Sequence, residues 1–151
     1  MRHLVFLLLA LLACGGKTGN YKADYAGPIA IELVNQTSRP IEEVFIFPSG
    51  SANRGTSWTS LKPGETTTVK IKEGHFELVA VSARRRIDAH SSEKPEATSQ
   101  LELREDLKQT PRKLVFHDDG DHAGVDAPGT LGVTFTLSNP IEDKPAEPQT
   151  P

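Results

Sequence analysis

The chain has 151 residues, 17 basic and 20 acidic side chains and a single cysteine, giving a formal charge of −3 at neutral pH. That length holds one domain with one hydrophobic core. The two signs of charge are interspersed apart from Arg84-Arg85-Arg86, so no basic face is offered to a phosphate backbone and nucleic acid is not an expected partner.

The chain opens on Met1, Arg2 and His3, followed by the apolar run 4–13. A basic start and a run shorter than the roughly 20 residues of a bilayer span predict a cleaved export signal over residues 1–13. Leu11-Leu12-Ala13-Cys14, followed by Gly15 and Gly16, resembles the lipobox of bacterial lipoproteins. The resemblance implies that the Cys14 thiol takes a diacylglycerol, that the signal is cut before it, and that the new N-terminus is acylated with a chain such as palmitate. Two or more chains anchor firmly, because each buried CH₂ adds about 0.8 kcal/mol. Gly15 stands where inner-membrane lipoproteins of enteric bacteria carry aspartate, which implies the bacterial cell envelope, the outer membrane rather than the inner, as the location. The other reading of these residues is an ordinary cleaved signal with an incidental cysteine. Cys14 being the only cysteine, no intramolecular disulfide can form and packing must supply the stability.

Residues 14–28 read as the acylated cysteine and a flexible tether, with Tyr21 and Tyr25 as its first contacts with a domain over 29–139. Ile29, Ile31 and Leu33 alternate with Glu32 and predict the first strand, Glu32 facing water. Turn formers follow at 35–40, where Asn35-Gln36-Thr37 fits the glycosylation acceptor pattern, which has no force in a bacterial host. The run 41–47 is apolar at nearly every position after Glu43. It predicts a central strand, covered on both faces or lying under a loop. Residues 48–57 then form a long loop. Leu61-Lys62-Pro63-Gly64-Glu65 predicts a tight turn, and 66–71 with 75–81 predict a β-hairpin about Glu73-Gly74. Residues 91–99 read as a stretch of low order. Leu101-Glu102-Leu103-Arg104 alternates as a strand in preference to a short helix, 113–116 and 131–137 complete the strands, and the Pro-rich tail 140–151 has nothing to bury. The predicted fold is all-β, a small antiparallel β-sandwich with two long loops.

Four features carry functional readings. The loop 117–126 offers two imidazoles and four carboxylates; His117, Asp119, Asp121 and His122 are its weak metal candidates, with Asp118 and Asp126 as further oxygen donors. Its acids sit at the wrong offsets for a calcium loop and no closing glutamate follows, so a solvated acidic loop is the plainer reading. Arg84-Arg85-Arg86 could meet anionic lipid or end a strand in solvent. Trp58 is either an exposed stacking platform or a plug at the sandwich end, and Arg54 shares its loop. His75 with Glu77 makes no dyad, and no serine is set apart as a nucleophile.

The pieces Asn35, Pro48-Ser49, Arg54-Gly55, Leu61-Lys62-Pro63-Gly64-Glu65 and His75-Phe76-Glu77-Leu78 resemble the landmarks of a small β-sandwich domain family of exported bacterial proteins with no established activity. Arg54 stands where that family has tryptophan and Phe47 where it has serine. The resemblance covers about a third of the chain and implies a compact sandwich and no enzyme.

The expected function is that of a lipid-anchored, non-catalytic envelope module that binds an envelope protein or a small ligand through its two long loops, without a cofactor. The alternative is a divalent-metal-binding module, or a metal-dependent hydrolase, using the 117–126 loop.

Overall fold

Alternation of branched and aromatic residues with polar ones builds strands with one apolar face, and two such faces must meet to leave water. The computed structural model describes residues 20–86, 88–105, 112–118 and 133–138. One helical turn, α1 (Tyr21–Asp24), precedes β1 (Ala26–Asn35), β2 (Ile41–Pro48), β3 (Thr59–Leu61), β4 (Thr66–Ile71), β5 (Gly74–Ser82), β6 (Arg85–Arg86), β7 (Ser92–Glu93), β8 (Glu96–Leu103) and β9 (Arg112–Phe116). They form an all-β sandwich of two sheets, ordered β4-β1-β9 and β3-β2-β5-β8, with β6-β7 as a separate ribbon. The pairings are antiparallel except β1 with β9, which is parallel.

Between the sheets, Ile29, Ile31 and Leu33 of β1 join a buried cluster with Ile41, Val44 and Ile46 of β2, Phe76 and Leu78 of β5, and Leu114 and Phe116 of β9. β2 lies between β3 and β5, the central position that its composition predicts. Its outward side chains Phe45 and Phe47 meet Val79, Val81 and Tyr21 in a second cluster, so the strand is apolar on both faces because both faces are packed.

Several elements differ from the sequence expectation. Folded structure reaches back to Asn20, whose side chain caps α1, rather than starting at Ile29. Tyr25 packs edge-on against Phe76, ring centroids 5.4 Å apart, and Tyr21 bonds Ser51 Oγ at 2.9 Å. Two rings four residues apart share one face of the turn and draw the expected tether onto the domain. β1 enters through a bulge between Ala26 and Ile29. There a Cβ on Gly27 would lie 2.5 Å from Lys72 N, so only glycine lets the backbones approach.

β4 and β5 do not pair as a hairpin. β4 bonds β1 and β5 bonds β2 and β8, so the 72–74 turn arches between the sheets. The inward faces of the two strands, Val69 and Ile71 against Phe76 and Leu78, meet across the core; a short turn and alternating strands read the same for an arch and for a hairpin.

The stretch expected to be of low order contains β7 and the start of β8, where Ala97 and Leu101 point inward between exposed Glu96, Thr98 and Gln100. Residues 101–103 are strand, as preferred. Residues 133–137, part of the expected last strand, form no ladder. Only Ser138 makes an isolated bridge, to Val115, while Phe135 is buried and Val133 and Leu137 pack on the core as their alternation predicts.

The strand directions give the sandwich two ends. α1, Pro48 and the 72–74 turn lie at one; the 36–40 and 62–65 turns, the β6-β7 ribbon and Asp118 lie at the other.

Candidate functional site: a groove between two sheet edges

β3 and β4 are terminal strands of opposite sheets, joined at one end of the sandwich by the 62–65 turn. Between them lies a groove of about 430 Å³ lined by Lys22, Ala26, Trp58, Thr59 and residues 67–70. Lys22 lines it beside Trp58, donating from Nζ to the Trp58 carbonyl at 2.8 Å. Trp58 is only 4% exposed, held by its indole N–H on the Ile46 carbonyl at 2.8 Å and by its backbone N–H on the Val44 carbonyl at 2.7 Å.

A strand shows alternate side chains to one face, so four consecutive lining residues mean that the groove meets the edge of β4. The polarity of that edge follows from the register. Asn35 N–H donates to the Glu65 carbonyl at 2.9 Å, and pairing runs without a shift from Val34↔Thr66 to Ile29↔Ile71. Hydrogen-bonded and non-bonded pairs alternate in an antiparallel ladder. Thr67 and Val69 therefore bond β1, and the N–H and C=O of Thr68 and Lys70 point away from it into the groove. The charged side chains of the lining are the amines of Lys22 and Lys70. The opposite flank differs: the buried Arg112 guanidinium donates to the Glu102 carbonyl between β9 and β8, and Phe135 packs edge-on against Phe116.

The residues singled out in the sequence are placed elsewhere or differently. Arg54 forks onto Glu96, with Nη1 and Nη2 each 3.0 Å from one carboxylate oxygen. This hydrogen-bonded pairing, opposed by slight burial and helped by the charges of Glu96 and Glu77, raises the guanidinium pKa above its usual value. With Tyr21 on Ser51 and Ser49 on Gln100 Oε1 at 2.9 Å, the pair fastens the 48–57 loop over the outer face of its sheet. Arg54 thus holds its own loop, and the buried Trp58 is a plug rather than an exposed platform.

In the arginine triplet, Arg85 is buried and paired with Glu93. Arg84 reaches Ser92 Oγ at 3.4 Å and Arg86 reaches the Ala89 carbonyl at 3.4 Å, so the ribbon binds itself. At its tip the Ser91 hydroxyl, with the N–H groups of His90 and Ser91, holds the Asp88 carboxyl below the usual aspartate pKa.

Of the acidic loop, His117 and Asp118 are described. A His117 ring nitrogen lies 3.2 Å from the Asp118 carbonyl, and Asp118 Oδ2 accepts from Ser38 N–H and Oγ at 2.9 and 3.1 Å, tying the strand β9 to the 36–40 turn. Asp119, Asp121, His122, Asp126 and Cys14 lie outside the described residues. Among the described residues no three His, Cys, Asp or Glu side chains gather as a metal would need, and no helix is long and apolar enough to cross a membrane.

Sequence reasoning missed the groove because Trp58, Thr59 and the 67–70 run become neighbours only when two sheets are stacked. The available signal was the lysine in Thr66-Thr67-Thr68-Val69-Lys70, a residue that marks edge strands. Comparison with protein-family models, curated proteins and solved structures finds no match.

Proposed function

We propose that the chain is a lipid-anchored, non-catalytic binding module of the bacterial envelope that takes its ligand in the groove between β3 and β4. The observation that carries this reading is the open edge of β4: peptide groups of Thr68 and Lys70 directed into a cleft beside two ammonium groups and the buried Trp58. Hydroxyl, ammonium and apolar surface are the means of holding a ligand rather than of moving protons. Of the two loops expected to bind, 48–57 is fastened by Arg54 on Glu96, which favours the groove over it, and 117–126 lies outside the described residues beyond Asp118.

The anchor rests on the Leu11-Leu12-Ala13-Cys14 pattern. Expressed from its full sequence in a bacterium that processes lipoproteins, the protein is expected in the membrane fraction, with a mature mass that starts at Cys14 and includes its acyl chains. Cys14→Ala is expected to leave the folded protein in the soluble fraction. An unmodified thiol on a protein that starts elsewhere contradicts the anchor.

A further inference from the structure

We infer that the occupant of the groove is an extended peptide segment with alternating apolar and acidic residues, which adds to β4 as a fourth strand of the β4-β1-β9 sheet. The inference rests on the groove being the ligand site.

Backbone donors and acceptors need partners, and an unpaired strand edge finds them most completely in another extended chain. The outward peptide groups of Thr68 and Lys70 alternate with the β1-bonded ones of Thr67 and Val69, the pattern that an added strand continues. Four residues of β4 line the groove, about 13 Å of strand at roughly 3.3 Å per residue.

Side chains of an added strand fall alternately to its two faces. Those turned inward lie over buried Val69 and Trp58, 8% and 4% exposed, which suits apolar groups. Those turned outward lie beside Thr68 and Lys70, both exposed, where opposite charge on a neighbouring strand is favourable and like charge is not. Lys22 adds a second positive charge at the rim. The same lysines argue against a second copy of this edge as occupant, because self-pairing would set ammonium groups together.

The test uses the full chain in mild detergent and a capped peptide of alternating valine and glutamate. Two controls accompany it: the same peptide N-methylated on alternate amides, and a version with lysine for glutamate. The valine–glutamate peptide is expected to bind and to slow amide exchange at Thr68 and Lys70, with each control weaker by about tenfold or more, the scale of one lost charge-assisted contact. Lys70→Glu is expected to weaken the glutamate peptide similarly and to strengthen the lysine peptide, a reversal that an unfolded variant cannot produce. Thr68→Pro, which removes an outward N–H while leaving the β1 pairing, is expected to weaken both.

Equal binding of the N-methylated peptide overturns strand addition while leaving the groove as the ligand site. Protection that appears on another strand and spares β4 overturns both. Failure to bind at millimolar peptide, or protection of Thr68 and Lys70 that grows with protein concentration alone, overturns the peptide as occupant.

Discussion

Asn35 sits at the junction of two turns and is completely buried. Its Nδ2 donates to the carbonyls of Arg39 and Leu61 at 2.8 and 3.2 Å, and its Oδ1 accepts from Thr37 N–H and Oγ1 at 2.9 and 2.7 Å. Its backbone pairs with the 62–65 turn through Gly64 and Glu65. One amide thus fixes the 36–40 turn and sets where β4 begins beside the groove. Asn35→Ala leaves buried carbonyls and an N–H without partners and is expected to cost about 2–3 kcal/mol in a denaturant titration; a loss within experimental error would show that the network does not hold the turns. The sequence marked Asn35 only as a turn former and a glycosylation pattern, because its partner Leu61 is distant along the chain. For Trp58 the sequence left a platform and an end plug open; its burial, 4% exposed, excludes the platform, and its place beside β3 and β4 was not legible because it depends on how the sheets stack.

At the scale of elements, the strands were legible wherever one face is apolar and the other polar, as in β1 and β4. Connections were not, because turn chemistry fixes that the chain reverses and leaves open whether it returns in the same sheet or crosses the core. The 48–57 loop shows the same limit: its length suggested a binding surface, whereas Arg54, Ser49 and Ser51 spend its polar groups on β8 and α1. The Arg54–Glu96 pair is exposed, with side-chain accessibilities of 44% and 40%, so its stabilisation is small. Arg54→Ala is expected to lower global stability by less than about 1 kcal/mol while speeding amide exchange across 49–57. A loss of several kcal/mol, or unchanged exchange in the loop, would show that the pair does not act as its fastening.

For the whole molecule, the two ends have different duties. Asn20, the cap of α1, follows Cys14 by six residues, a span of at most about 20 Å. An acyl anchor at Cys14 would therefore keep α1 and Lys22 near the bilayer and turn the Arg84–Arg86 ribbon away from it, against a role for those arginines on the anchoring membrane. The groove runs along the flank between the ends. Its binding role depends on one property of the free protein, an uncovered β4 edge, and residue-resolved hydrogen exchange on the full chain without ligand measures it directly. Thr67 and Val69, bonded to β1, are expected to exchange slowly, and Thr68 and Lys70 fast. Slow exchange at all four would mean that the edge is already covered, contradicting the account.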